Sequence, residues 1–308
     1  MICPEWKKEA SMGTPSQLRG LLSSEKVIVA PGCHDALGAR LIVRAGFQAV
    51  YMSGNATTAS LIGSPDLALL GMAEMVTRAR QIALSVKLPL ICDADTGYGG
   101  VHNVFRTVRE YEAAGVAAIH IEDQAFPKRC AAMPGVSLME RKDAEDRVKV
   151  ALESRQNRDF LIIARTDARP ALGIEEAWHR GERFAEIGAD MIYIEGLKSR
   201  QEIEETARRF HGIPLFFNVL EEWPWTLIPA RELGQMGFRI VIFCLSATLL
   251  YARTMQEFLE ILRADGNTSR LASRMMSLHD YEDLLGMEEM KSMEERVTKP
   301  ASCKNGHG

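Results

Sequence analysis

Short uninterrupted apolar runs alternate with longer amphipathic ones along most of the chain. Eight runs are rich in Ile, Val, Leu or Phe and apolar on successive residues: Val27–Ala30, Ala49–Met52, Pro89–Cys92, Ala118–Ile121, Phe160–Ala164, Met191–Ile194, Pro214–Phe217 and Arg239–Leu245. A strand buried on both faces reads this way. Between them, Met72–Val86, Asn103–Ala114, Ile174–Ile187 and Ile203–Phe210 repeat apolar residues at helical spacing, so each predicts a helix with one face in the core. Gly188 and Gly212 stand where two of those helices should stop. Ala114–Val116, Ile187–Asp190 and Met236–Phe238 read as short turns back into a strand. Eight such units predict an α/β chain folded as a parallel (β/α)8 TIM barrel. A doubly wound open sheet would carry a Gly-rich phosphate loop after its first strand, and Ala30-Pro-Gly-Cys-His-Asp35 does not match that fingerprint.

The chain continues past its eighth strand for longer than one outer helix needs. Ser246–Ala264 reads as one helix and Ser269–Leu285 as another, followed by an acidic, Met-rich stretch to about Glu295. Residues 13–297 are expected to form one barrel domain with these C-terminal helices, and residues 1–12 and 298–308 to be flexible termini. At 308 residues and 46% hydrophobic composition the chain can bury one large core. A net charge of -4 with no long basic run argues against a nucleic-acid partner. No apolar stretch is long enough to span a bilayer, and Met1–Ser11 has no apolar segment of a secretory signal. The six cysteines, at 3, 33, 92, 130, 244 and 303, form no C-x-x-C pair. A reducing compartment is expected, cytoplasmic or an organelle matrix.

In a barrel the catalytic groups come from the carboxyl ends of the strands. There the chain places Ser53-Gly54-Asn55, Asp93-Ala-Asp95, His120 with Glu122-Asp123, Arg165-Thr-Asp167, Glu195 and Asn218. Buried charges are costly unless paired or bound to metal, so this many carboxylates at one mouth imply a hard cation. Asp93 and Asp95, two apart, are expected to point to the same side of a strand and, with Glu122, to suit Mg²⁺. Strand-end Asp residues also cap loops and helices, which explains a single one but not the whole rim. Directly after Glu122-Asp123, Lys128 and Arg129 flank Cys130 in a loop bounded by Pro127 and Pro134. Neighbouring cations favour a thiolate, although most cysteines are inert apolar groups.

Asp93-Ala-Asp-Thr-Gly-Tyr-Gly99, His120-Ile-Glu-Asp-Gln124, Lys128-Arg-Cys130 and Ala164-Arg-Thr-Asp-Ala168 occur in this order. Together they resemble the isocitrate lyase/phosphoenolpyruvate mutase superfamily, over about residues 18 to 290. Its most similar branch contains 2-methylisocitrate lyase and the oxaloacetate-hydrolysing and dimethylmalate-cleaving enzymes. The resemblance implies Mg²⁺, with Mn²⁺ as a substitute. Asp95 would be the direct ligand, and Asp93, Glu122 and Asp66 would hold metal-bound waters, with His120 nearby. Tyr51, Ser53, Gly54, Asn55, His120 and Asn218 would bind substrate. Lys128, Arg129, Cys130, Arg165 and Glu195 would carry catalysis, with the Lys128–Cys130 loop as a mobile lid. A small carboxylate substrate is implied, as is a homotetramer built from two helix-swapped dimers, which would use the surplus C-terminal helix.

The chain departs from the family's lyases in the lid. Ala131-Ala132 stand where those enzymes read Gly-His, and Cys244-Leu245-Ser246 where 2-methylisocitrate lyases read Pro-Leu-Ser. Trp223 and Trp225 add bulk after strand seven, either as outer packing or as a wall against substrate. The expected reaction is Mg²⁺-assisted cleavage of a carbon–carbon bond in a small 2-hydroxy- or 2-oxo-carboxylate, with Cys130 as general acid. The alternatives are an oxaloacetate acetylhydrolase-type reaction, phosphonate chemistry, against which the loop cysteine argues, and a non-catalytic binding barrel.

Overall fold

The computed structural model describes residues 13–24 and 26–298. Its strands are β1 (Ile28–Cys33), β2 (Val50–Met52), β3 (Leu90–Asp93), β4 (Ala118–Glu122), β5 (Leu161–Thr166), β6 (Met191–Ile194), β7 (Leu215–Asn218) and β8 (Phe238–Phe243). Each pairs in parallel with the next, and β1 pairs with β8 to close the barrel. All eight predicted runs fall on these strands, with β1 running on to Cys33 and β8 stopping at Phe243. The helices of the barrel portion are α1 (Pro15–Ser23), α2 (Ala36–Arg44), α3 (Gly54–Ile62), α4 (Met72–Ser85), α5 (Val101–Ala113), α6 (Arg141–Ser154), α7 (Ala168–Leu172), α8 (Ile174–Ile187), α9 (Arg200–Arg209) and α10 (Ala230–Met236). After β8 come α11 (Ser246–Asp265), α12 (Leu278–Leu285) and α13 (Met287–Thr298). No helix among the described residues is long and apolar enough to cross a membrane.

Strand periodicity divides the core into an inner and an outer layer. Ile28, Ala30, Tyr51, Ile91, Ile163, Tyr193, Phe216, Ile240 and Ile242 fill the barrel. Their neighbours Ile162, Ile192, Phe217 and Val241 pack outward against the helices. Both layers are apolar, which is why these strands read as continuous runs rather than as alternation. Helix α1 begins at Pro15 behind a Thr14 cap whose side chain accepts from Gln17 N. It buries Leu18 completely in the inner cluster, a contribution of roughly 1.5–3 kcal/mol. Arg239 near the start of β8 donates to Leu22 O at 2.8 Å, and Arg19 to Asp190, just before β6, at 2.7 Å. Helix α1 therefore covers the amino-terminal mouth of the barrel, and the carboxyl mouth is left for chemistry.

The chain forms two compact units, one to Arg253 and one from Thr254. In the second, the predicted helix Ser269–Leu285 is interrupted. A 3-10 turn covers Ser269–Arg274, Met275 is extended, and Ser277 then caps α12 by accepting from Asp280 N at 3.0 Å. A serine hydroxyl that competes for a backbone N–H starts a new helix more readily than it continues an old one. The Met-rich stretch is helical as α13. Cys3, Cys303 and the expected loose termini lie outside the described residues, except Thr298, which ends α13.

Candidate active site

At the carboxyl mouth, four carboxylates gather around one ammonium. Lys128 Nζ lies 2.7 Å from Asp66 Oδ1 and 2.5 Å from Asp95 Oδ1. The lysine is 3% exposed, so an unpaired charge there would be prohibitive; its partners hold it protonated. Burial alone would lower its pKa, but Asp95, Glu122, Asp93 and Asp66 outweigh burial and raise it well above the ordinary value. Burial likewise pushes the Asp93 carboxyl up, but His120, Lys128 and Arg165 prevail and hold it at about 2. Asp95 goes the other way, to about 6, because burial and the neighbouring Asp93 and Asp66 outweigh Lys128. Glu122 is raised well above the carboxylate range, chiefly by burial.

Asp95 does not reach this cluster along a strand. β3 ends at Asp93, and Asp95 has φ +46°, so the same-side expectation from strand spacing fails. A turn brings the two together instead, with Asp95 N donating to Asp93 Oδ1 at 3.0 Å. The left-handed backbone is one that Asp tolerates better than most residues. Gly54 is needed for a different reason. Its N–H faces Asp93 Oδ2 at 3.3 Å, and a Cβ there would meet that oxygen at 2.5 Å.

Behind the carboxylates, His120 is fully buried. Its Nε2 shares a hydrogen bond with the Tyr51 hydroxyl at 2.8 Å, and its Nδ1 lies 3.6 Å from Asp93 Oδ1. Burial depresses its pKa to about 4, so the ring is neutral near pH 7. Across the mouth, Arg165 spans Glu122 at 3.3 Å, Asp167 at 2.9 Å and Glu195 at 3.9 Å. Its guanidinium sits over the Tyr193 ring, and the Tyr193 hydroxyl donates to Glu195.

Asp167 and Asp123 carry this arrangement into the scaffold. Asp123 accepts from Thr166 Oγ1 at 2.7 Å and Asp167 N at 2.9 Å. It also pairs with Arg180 of α8 at 3.1 Å, and Arg180 donates to Met139 O on the strand-like return from the lid.

A cavity of about 60 Å³ opens between these groups and the loop after β4. Twelve of the residues singled out from sequence line it: Tyr51, Ser53, Asn55, Asp66, Asp93, Glu122, Lys128, Arg129, Cys130, Arg165, Glu195 and Asn218. Gly54, Asp95 and His120 stand just behind that wall, through the contacts given above. Ala131, Ala132, Leu220, Cys244 and Leu245 form its apolar side. Tyr193 also lines the cavity and escaped the sequence reading, though it lies in β6 two residues before Glu195, to which its hydroxyl donates. Trp223 and Trp225 stack on one another with ring centroids 6.1 Å apart, and Trp225 Nε1 donates to Leu197 O. Neither lines the cavity, so they are packing and not a substrate wall.

The thiolate expectation for Cys130 is corrected. Lys128 turns inward to the carboxylates and Arg129 donates to Pro134 O at 3.0 Å, so neither cation is left for the sulfur. Burial raises the Cys130 pKa, against opposing hydrogen bonds from Ala132 and Asn55. The group is a neutral thiol, a form suited to giving up a proton rather than to attacking as a nucleophile.

Among the described residues, no three His, Cys, Asp or Glu side chains close on one point as a ready-made metal cage. Mg²⁺ keeps several waters and takes one or two direct carboxylates. The donors are all hard oxygens, and Glu122 Oε1 and Asn218 Oδ1 are buried without a hydrogen-bond partner. Lys128 currently supplies the positive charge at Asp95 and Asp66, so an arriving cation would take over part of that role. The residues fit the ion.

Residues 18–263 match the phosphoenolpyruvate phosphomutase family. The chain is 41% identical to 2,3-dimethylmalate lyase of Eubacterium barkeri over 283 residues, covering 92% of this chain and 98% of that protein. It is 37% identical to 2-methylisocitrate lyase of Aeropyrum pernix, covering 92% and 91% respectively. A solved oxaloacetate acetylhydrolase in complex with 3,3-difluorooxalacetate superposes with a TM-score of 0.88 at 34% identity, covering 93% of this chain and 98% of that one. The chain belongs to the phosphoenolpyruvate mutase/isocitrate lyase superfamily.

Proposed function

We propose that this member of the superfamily is a Mg²⁺-dependent carbon–carbon lyase acting on a small, branched 2-hydroxydicarboxylate of the dimethylmalate type. One observation carries the reading. A single small cavity places a guanidinium, a carboxylate cluster and a neutral thiol on its polar side, and Ala131, Ala132, Leu220 and Leu245 on its apolar side. Arg165 can pair with a substrate carboxylate by charge-assisted hydrogen bonds. The Ser53 hydroxyl and the Asn55 amide border the same space and can hold further oxygens. The apolar side has no cation for a third carboxylate, but it would accept a methyl branch.

Asp95, with Asp93, Glu122 and Asp66 acting through water, would hold Mg²⁺, whose charge favours an oxyanion on the 2-hydroxy acid end. A pocket base takes the hydroxyl proton. The bond between C2 and C3 breaks, and its electron pair passes to C3 as the enolate of the departing carboxylate. Cys130 gives that carbon its proton, leaving an oxo acid and a saturated carboxylic acid. The lid, through Lys128 and Cys130, also shields the enolate from water.

The test is turnover of Mg²⁺-loaded protein on 2,3-dimethylmalate, 2-methylisocitrate, isocitrate and oxaloacetate, with products read by mass spectrometry. The dimethylmalate-type substrate should give the highest kcat/KM. Faster hydrolysis of oxaloacetate to two acids would transfer the assignment to the acetylhydrolase reaction, and no turnover of any of the four would refute both.

The same reading includes a homotetramer of helix-swapped dimers. It is supported by the apolar side chains that the C-terminal unit leaves exposed, among them Leu278, Tyr281, Met287, Met290 and Val297. Exposed apolar side chains of this kind are candidates for cover by another chain. Sedimentation should return four times the 34.3 kDa chain mass, and a single-chain mass at micromolar concentration would contradict the assembly.

A further inference from the structure

The segment that leaves β4 holds both ends of the lid. Ala125 N donates to Ser137 O at 2.9 Å and Met139 N to Asp123 O at 3.0 Å, so the outgoing and returning strands are stapled below the loop. Between these staples sits Gln124, 1% exposed. Its side chain points up into the lid. Gln124 Oε1 accepts from Arg129 N at 3.1 Å, and Nε2 donates to Arg129 O at 2.9 Å. The second Nε2 hydrogen faces Asp167 Oδ2 at 3.3 Å. That same oxygen accepts from Arg165 Nε at 3.2 Å, while Arg165 Nη2 uses Asp167 Oδ1 at 2.9 Å. The amide orientation is dictated by its partners, since only the nitrogen can donate to two oxygens.

We propose that Gln124 is a positioning residue that locks the lid to the substrate-binding arginine. It grips the backbone of Arg129, the residue between Lys128 and Cys130, and shares one carboxylate oxygen with Arg165. The inference deepens the lyase reading and rests on it for the substrate used. The physical basis is geometric. Lys128 and Cys130 point to opposite tasks, one into the carboxylates and one toward the cavity, and the peptide groups between them must keep one orientation for both. A bidentate amide grip on residue 129 supplies that constraint. Because Asp167 Oδ2 serves both Gln124 and Arg165, the guanidinium is aimed correctly when the lid is down. The bonds to Asp167 are buried and those to Arg129 half-buried, so loss of the Gln124 amide leaves polar groups unsatisfied and is felt.

The experiment compares wild type with Gln124→Glu and Gln124→Leu, full-length and Mg²⁺-loaded. Glutamate keeps the acceptor for Arg129 N but loses both donors and sets a charge against Asp167. Leucine keeps the volume and loses all three bonds. Both should lower kcat by about ten- to a hundredfold, the effect of one or two lost hydrogen bonds, with KM moving less than about threefold and the melting midpoint falling by no more than about 10 °C, the cost of those bonds in a cooperatively folded barrel. Trypsin should cut between Arg129 and Cys130 at least about fivefold faster in both variants, because local opening sets the rate, with the barrel helices still resistant. The proteolysis arm uses no substrate, so a wrong lyase assignment would silence the kinetics and leave the lid result readable. Wild-type proteolysis at residue 129 in both variants overturns the proposal. So does a larger fall in melting midpoint with cleavage spread through the barrel, which would make Gln124 a residue of fold stability.

Discussion

Asp95→Asn and Asp95→Ala should each lose turnover by about a thousandfold or more, roughly 4 kcal/mol of transition-state stabilisation, while the barrel stays folded. Asp95 is a rim carboxylate whose interactions are with Lys128 and the Asp93 turn, not with the apolar core. The asparagine variant is the cleaner of the two. Position 95 has φ +46°, where Asn is at home and Ala is strained by about 1 kcal/mol. In both variants Lys128 keeps Asp66 at 2.7 Å, so no buried charge is left without a partner. The measurement pairs a substrate assay with Mg²⁺ titration by calorimetry and a thermal melt. Loss of Mg²⁺ binding together with an unchanged melt is the expected result. Full turnover by Asp95→Asn in metal-free buffer would sink the metal assignment.

Restoring the lyase lid should change substrate preference. With Ala131→Gly and Ala132→His, kcat/KM on 2-methylisocitrate should rise about ten- to a hundredfold, the value of roughly 1–3 kcal/mol for one buried polar contact. Both alanines line the cavity, Ala131 buried and Ala132 exposed at its edge, so an imidazole at 132 has a path to a substrate carboxylate in that space. The dimethylmalate-type substrate should lose in the same variant, because the apolar wall that receives its branch becomes polar. Cys130→Ser should depress turnover of the true substrate by about a hundredfold or more, within the range of lost general-acid catalysis. The Cys130 thiol is already held protonated by burial, and a serine hydroxyl in its place is a far weaker acid. The three proteins are compared on one substrate panel. If wild type cleaves 2-methylisocitrate efficiently and the double variant gains nothing, the lid argument is wrong.

Much of the site was legible because its residues sit where a parallel barrel must put them. Arg165, Glu195, Asn218, Glu122 and Asp93 all end or immediately follow an apolar run, and the carboxyl end of each strand faces the same mouth. Tyr193 was missed because inside an apolar strand a tyrosine reads as core, which it also is: it belongs to the inner cluster and lines the cavity at once. Helix α6 went unmarked because its face toward the core is only Ala144, Val148, Ala151 and Ser154, too little apolar surface to stand out among its charges.

The sequence alone determined the number of strands, their parallel order and the residues at the rim, because period and burial on both faces are local properties of a run of side chains. Tertiary structure decided what those residues do to one another. Lys128 reads as a cation beside Cys130, but across 62 residues of chain it meets Asp66, and the thiol is left neutral. Asp95 reads as the next strand residue on the side of Asp93, but a left-handed turn places it. Gln124 reads as one polar letter of a motif, and only the fold brings Asp167, 43 residues on, and Arg129 to its amide. Charges and hydrogen bonds act through distance in space, and distance between residues far apart in sequence does not exist until the barrel closes.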